Sequence, residues 1–497
     1  MQAKLRRCRQ VAGANRRIEV LMIHSRRALL TLSAAAALLA GTLAGAPPAL
    51  ASHSQITFFD ATQQLTDPAE RAQTFVTLKH LGVRALRIML YWDAVAPQPN
   101  SARKPRFAGT DPASYDWSAY LPALEEAKRL HWPVLLTVTS PVPKWASSTH
   151  RDHLTRPSDM DFREFMTAAG KELGPYVALW AIWNEPNQLG WLQPQWSANG
   201  TPASPAIYRG LFMAGYSGLR AAGISSPKML MGETAPFGNS TVNARREGTV
   251  HQMAPLTFLR GTLCLSSRYR PIGHCPRLPA YGYGHHAYPN ASGPSYVPPN
   301  RDQVTIGTLG RLVRALNLAA RAGAIRAGMP IYLTEFGINT RPNPLGVSPA
   351  KQAQFDALSE MIAWGNPRVA SFGQYELRDD VIPRHHPRDW TGFQTGLETA
   401  AGRPKPLYYG FPLALVVRRS RGAFALWGLV RPAQGATSAE ILLERAPRRR
   451  FVKLAAVHTD AAGYFQLRSR VHGVAWKLRW VSPEGPVYEG PPIALSR

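Results

Sequence analysis

Two short strings place a glutamate where an acid can act on a bond. The apolar run Val177–Trp183 leads into Trp183-Asn184-Glu185-Pro186-Asn187, and the run Ile331–Thr334 leads into Glu335-Phe336-Gly337. In each case a strand-like segment ends in Glu, and Pro186 stiffens the turn that carries Glu185. If the two strands belong to one closed sheet, their carboxyl ends share a mouth and the acids face each other. Two facing carboxyls are what cleavage of a glycosidic bond requires. One protonates the leaving oxygen, and the other attacks or stabilises the anomeric carbon. Glu233, at the end of Met229–Glu233, reads either as a third site carboxylate or as a hydrogen-bond acceptor at the core edge. Glu376, Asp379 and Asp380 read as rim charges. His285 and His286 look like a metal pair, but neighbouring strand residues point to opposite faces. No metal site and no cofactor are therefore expected.

The elements that must hold these residues alternate along the chain. Strand-like runs fall at Ile56–Phe59, Ala85–Tyr91, Val134–Thr139, Val177–Trp183, Met229–Glu233, Ala280–Tyr288, Ile331–Thr334 and Val369–Tyr375. Helical patterns fall at Pro68–Leu81, Tyr120–Leu130, Asp161–Leu173, Ala206–Ala222, Gly310–Ala327 and Pro349–Trp364, with apolar residues recurring at three and four. This alternation predicts an α/β fold, a (β/α)8 TIM barrel over residues 52–415. A doubly wound sheet is the competing fold, but it needs a glycine-rich turn after its first strand. This chain has Asp60-Ala61-Thr62-Gln63-Gln64 there. From 416 to 497 the pattern becomes strict alternation without helical period, as in Ala423–Val430, which predicts a small all-β sandwich.

With both acids on their strands, the chain resembles the clan A glycoside hydrolases, the barrel enzymes that include families 5 and 39. The resemblance spans about residues 55–415. It rests on Trp-Asn-Glu-Pro closing the fourth strand and Thr-Glu-Phe-Gly closing the seventh, 150 residues apart. It implies Glu185 as general acid/base, Glu335 as nucleophile, and Asn184 bonded to the sugar 2-hydroxyl. It further implies that Arg87, in Leu86-Arg87-Ile88, holds the nucleophile ionised, though by itself Arg87 also reads as a salt-bridge residue. In His286-Ala287-Tyr288 the Tyr would bond the nucleophile and the His would orient substrate. Trp92, Trp145 and Tyr375 are candidate sugar-stacking faces, with barrel-rim packing the alternative for the two tryptophans. Many family 5 members place Trp where this chain has Tyr375. The family's geometry implies retention of configuration, with the carboxyls about 5–5.5 Å apart.

Composition bounds the rest. The chain has 497 residues, a formal charge of +27 and 45% hydrophobic residues, enough for a core and too many for a disordered basic chain. Residues 1–51 read as a secretory signal. Arg26-Arg27 precede an apolar run to Ala46, and Ala49-Leu50-Ala51 forms a small-x-small site, so cleavage is expected near Ala51. Ser25–Leu30 resembles a twin-arginine signal. Losing eight Lys/Arg and one Glu with this segment leaves +20. The arginines are spread over both regions without a nucleic-acid motif, so no nucleic-acid partner is expected. An anionic envelope or glycan contact through the basic C-terminal region is the remaining use for that charge. Cys264 and Cys275, an even pair in an exported chain, are expected to form a disulfide. The combined expectation is a monomeric, secreted or envelope-located retaining glycosidase acting on a β-linked oligo- or polysaccharide. A catalytically silent glycan-binding barrel is the alternative.

Overall fold

The computed structural model describes residues 54–242, 251–382, 392–445 and 450–495. The expected signal segment lies outside them. Eight parallel strands close into a barrel in chain order: β1 (Ile56–Asp60), β2 (Leu86–Tyr91), β3 (Val134–Thr139), β4 (Leu179–Ile182), β5 (Met229–Thr234), β6 (Gly282–His286), β7 (Ile331–Glu335) and β8 (Val369–Tyr375). β8 pairs with β1, with Asp60 opposite Tyr375. The principal helices are α1 (Arg71–His80), α2 (Leu121–Arg129), α3 (Asp159–Leu173), α4 (Ser204–Ala221), α5 (Pro255–Thr262), α6 (Leu309–Arg321) and α7 (Pro349–Trp364).

The strands are apolar on both faces because both are covered. Leu86, Ile88 and Leu90 of β2 point outward, into a core shared with the helices. Phe58, Leu135, Leu179, Ala181, Leu230 and Tyr332 point inward and plug the barrel floor. That alternation leaves Arg87, between Leu86 and Ile88, facing the barrel axis.

Three elements differ from the sequence reading. β4 stops at Ile182, because Trp183 is left-handed at φ +70°. α6 stops at Arg321, and Gly323 then turns the chain at φ +75°. α5 matches none of the helical patterns expected from the sequence. It opens with Pro255 at its first turn, but Ala254 offers no capping side chain, so its start carried no polar signal.

Among the described residues, eight antiparallel strands follow. β9 (Leu413–Ser420), β10 (Ala423–Val430) and β13 (Tyr464–Ser469) form one sheet. β11 (Ser438–Arg445), β12 (Arg450–His458), β14 (Ala475–Val481), β15 (Val487–Glu489) and β16 (Ile493–Ala494) form the second. Leu415, Phe424, Leu426, Ile441, Trp476 and Leu478 fill the space between the sheets. The outer face of the first sheet, with Ala414, Val416, Trp427, Leu429 and Tyr464, packs on Ala357 and Trp364 of α7. β9 is thus covered on both sides, so Leu413–Val417 is a continuous apolar run and straddles the boundary expected at 415/416.

Cys264 and Cys275 are joined by a disulfide just after α5, with Cα atoms 6.2 Å apart. No helix among the described residues is long and apolar enough to cross a membrane.

Candidate active site

The mouth of the barrel is built from strand ends whose backbone departs from regular geometry. After β4 the chain takes left-handed conformations at Trp183 and again at Glu185, φ +39°. Such conformations are costly for residues with a side chain and mark a constrained site. The turn is held on all sides. The Trp183 amide donates to the Val138 carbonyl, the Asn184 amide to Thr139 Oγ1 at 3.1 Å, and the Glu185 amide to the Glu233 carbonyl at 3.0 Å. Asn187 closes it, accepting from the Ala235 amide at 2.8 Å. In β6 a register shift between His285 and His286 sets His286 opposite Glu335 of β7.

These elements bring Glu185, His286 and Glu335 together, with oxygen and nitrogen atoms all within 4.8 Å of one another. Glu335 is pinned on both oxygens. Tyr288 Oη donates to its Oε1 at 2.7 Å, and Arg87 Nη1 to its Oε2 at 2.8 Å. Glu185 Oε1 lies 2.9 Å from His286 Nδ1. Arg87 is fully buried and its donors all find acceptors. Nη1 also reaches Asp60 at 2.8 Å, Nη2 reaches Asn184 Oδ1 at 2.6 Å and Glu233 at 3.2 Å, and Nε reaches Thr137 at 3.2 Å.

The electrostatics follow from burial against charge. Burial pushes the pKa of His286 down, but the carboxylates of Glu335 and Glu185 outweigh it and leave the ring above its usual value. Burial raises Asp60, with Arg87 opposing. Tyr288 is held well above the usual phenol range by burial and by Glu335, so its hydroxyl stays a donor. The cluster of Glu185, His286 and Glu335 has a spacing that a divalent ion also accepts, but both Glu335 oxygens are engaged and a guanidinium already supplies the positive charge.

Other expected residues fall differently. Trp92 and Trp145 are not sugar platforms: Trp92 is wholly buried, stacked on Phe165 of α3 at 5.3 Å, and Trp145 packs edge-on against it. Both belong to the packing behind the barrel wall, and Trp145 Nε1 is spent on the Pro97 carbonyl at 3.1 Å. Tyr375 stays at the mouth, half-buried and edge-on to Phe393. His286 contacts Glu185 directly, where a substrate-orienting role was expected, and its Nε2 has no protein partner. His285 faces the other way, bonded to Thr234 and the Val304 carbonyl.

Asp60, read only as a glycine-free turn, belongs to the cluster. An acid closing the first barrel strand was the signal for it. Glu376 is no exposed rim charge. It is buried, Oε1 has no partner, and burial with Asp380 and Asp379 nearby pushes its pKa up to about 10. Asp379 is paired with buried Lys405 at 2.7 Å.

No protein-family model matches the sequence, and no curated protein matches it. Solved structures do. A family 39 glycoside hydrolase from Bacteroides cellulosilyticus superposes with a TM-score of 0.51 at 13% identity, over 85% of this chain and 80% of that one. A glucosidase from Croceicoccus marinus superposes with a TM-score of 0.50 at 10% identity, over 85% of this chain and 94% of that one. At these identities the likeness is one of fold.

Proposed function

We propose that this protein is an exported glycoside hydrolase that cleaves β-linked oligo- or polysaccharides with retention of configuration. One observation carries the reading: Glu185 and Glu335, from separate strand ends of one barrel, each bring one carboxylate oxygen within 4.8 Å of the other's across the mouth. An approach of one oxygen pair to this distance is compatible with the close arrangement of retaining enzymes, about 5–5.5 Å between the carboxyl groups. The two solved structures compared above are named as glycoside-cleaving enzymes.

In this reading Glu335 attacks the anomeric carbon while Glu185 gives its proton to the leaving oxygen. A glycosyl ester on Glu335 forms and the first product departs. Glu185 then takes a proton from water, the water oxygen bonds the anomeric carbon, and the ester bond to Glu335 breaks. Arg87 and Tyr288 hold and aim the Glu335 carboxylate through charge-assisted hydrogen bonds. His286 orients Glu185. The Asn184 side-chain oxygen is spent on Arg87, so this side chain meets the sugar 2-hydroxyl as a donor. Tyr375 offers the aromatic face at the mouth. The disulfide fits an oxidising compartment, as export would provide.

The test is hydrolysis of a panel of aryl β-glycosides and polysaccharides by the wild type, Glu185→Gln and Glu335→Gln. Loss of activity in both variants is expected, and activity surviving both substitutions refutes the assignment. NMR of the first-formed product should show the retained anomer. An inverted one removes Glu335 as nucleophile. No turnover of any substrate, with glycan binding intact, would favour the silent binding barrel instead.

A further inference from the structure

Glu233 has no place in the two-glutamate scheme, yet the barrel is built to deliver it to the centre. It sits at a register shift of β5, between Gly232 and Thr234 in the pairing with β6, and takes a left-handed φ of +45°. A bulge of this kind re-aims a side chain that would otherwise point out of the barrel. Its neighbour on β6 is Gly284, and a Cβ there would lie 2.6 Å from Glu233 Cγ. The space for the side chain therefore exists only because position 284 has none. Glu233 is fully buried; its Oε2 accepts from Arg87, and its Oε1 has no partner. A buried acid with an open oxygen costs stability and calls for a functional account.

Neutralising Arg87 is not that account. Asp60 and Glu335 already supply two carboxylates at 2.8 Å, so the guanidinium has three acids for one charge. We propose that Glu233 is a positioning residue of the reaction centre: its carboxylate competes with Glu335 for Arg87, and its carbonyl fixes the main chain of Glu185. It thereby couples the two glutamates, which sit on β7 and after β4, through one residue of β5. The inference rests on the glycosidase reading of the site.

The groups that face this cluster fix the sign of the test. Around Glu233 they are Arg87 from β2, Asp60 from β1 and the phenol of Tyr208 from α4; around Glu335 of β7 they are Arg87, His286 at 3.7 Å and Tyr288 at 2.7 Å, all left in place by the substitution. Removing the Glu233 charge takes a negative neighbour from Arg87 and leaves more of the guanidinium's field to Glu335. In Glu233→Gln, the acidic limb of kcat/KM on 4-nitrophenyl β-glycosides should move down by about 0.5–1 pH unit. An amide holds the Arg87 guanidinium less firmly than a carboxylate, so the donor that aims Glu335 loosens while the Glu233 carbonyl still holds Glu185; kcat should fall about tenfold, with KM within about twofold. An unmoved limb with wild-type kcat overturns the proposal, as does a fall in melting temperature with kinetics untouched, which marks a plain ion pair. If the Gln variant does not fold, Glu233→Asp carries the test. It keeps the charge, so the limb should stay while kcat falls, and wild-type kcat there also overturns the role. Activity surviving both Glu185→Gln and Glu335→Gln would instead refute the site itself. Activity lost in those two and intact in Glu233→Gln refutes only the part given to Glu233.

Discussion

Glu335 is held by two donors of different kinds, and they should be separable. Arg87 contributes a charge and serves four other acceptors, so its loss would scatter the whole cluster. Tyr288 donates a single hydroxyl, and its ring lies against Phe336 and Phe393, so Tyr288→Phe removes the donor and keeps the packing. A hydrogen bond to a charged group contributes roughly 1.5–3 kcal/mol, so kcat/KM should fall about tenfold to a hundredfold with the melting temperature unchanged. Steady-state kinetics beside a thermal melt checks this. Trp92 gives the opposite pattern. Trp92→Ala should lower stability by about 3–5 kcal/mol, read by urea unfolding. Most of the site was legible because charge is costly on a buried strand: Glu185, Glu335 and Arg87 each interrupt or close an apolar run, and that alone marks them. The aromatic residues were not legible in the same way. A tryptophan at a strand end is apolar whether it faces sugar or Phe165, and only the position of α3 decides.

At the scale of elements, the strands could be read because each is buried on both faces and bounded by polar turns. Val134–Thr139, Val369–Tyr375 and helix Pro349–Trp364 were expected at the residues where they occur. The sequence could not reveal that α7 is a shared wall, with the barrel on one side and β9, β10 and β13 on the other. Its buried acids make sense only there. Glu360 meets Arg431 of the loop after β10 in two bonds, at 2.9 and 2.8 Å. Asp356 lies beside this pair, and burial first, then Glu360, pushes its pKa from 3.8 up to about 8. Between those values the folded protein keeps a proton that the unfolded chain has released. Raising the pH across that window therefore destabilises the fold, by at most about 1.4 kcal/mol per pH unit, and below it the group makes no difference. Asp356→Asn should flatten that slope. Urea unfolding at pH 5 and pH 8 measures it: the wild type should lose more stability between the two than the variant does. An equal loss in both would mean that Asp356 is ionised in the fold.

For the molecule as a whole, the formal charge of +27 says little about chemistry carried by acids, and the antiparallel region is more than a basic appendage. Arg431 also donates to Thr57 Oγ1 of β1 at 2.7 Å and to the Phe411 carbonyl at 3.0 Å, and lies over the Phe411 ring at 4.0 Å. Arg84, just before β2, donates to the carbonyls of Arg431 and Ala433. Trp364, Trp427 and Tyr464 meet in one aromatic cluster across the seam. A spacer module would leave the barrel complete without it. Here, removing the strands would leave the apolar face of α7, with Ala357 and Trp364, in water and take Arg431 from Glu360, a loss on the order of 3–5 kcal/mol of apolar burial. That is a large share of the stability of an ordinary domain. The full chain should therefore unfold in one calorimetric transition, and a version ending at residue 412 should be insoluble or melt about 4–7 °C lower, roughly this cost spread over a large domain. Two resolved transitions, or a soluble truncated barrel with the wild-type melting temperature, would make the second region an independent module. Its arginines would then have to be explained by a partner and not by the fold.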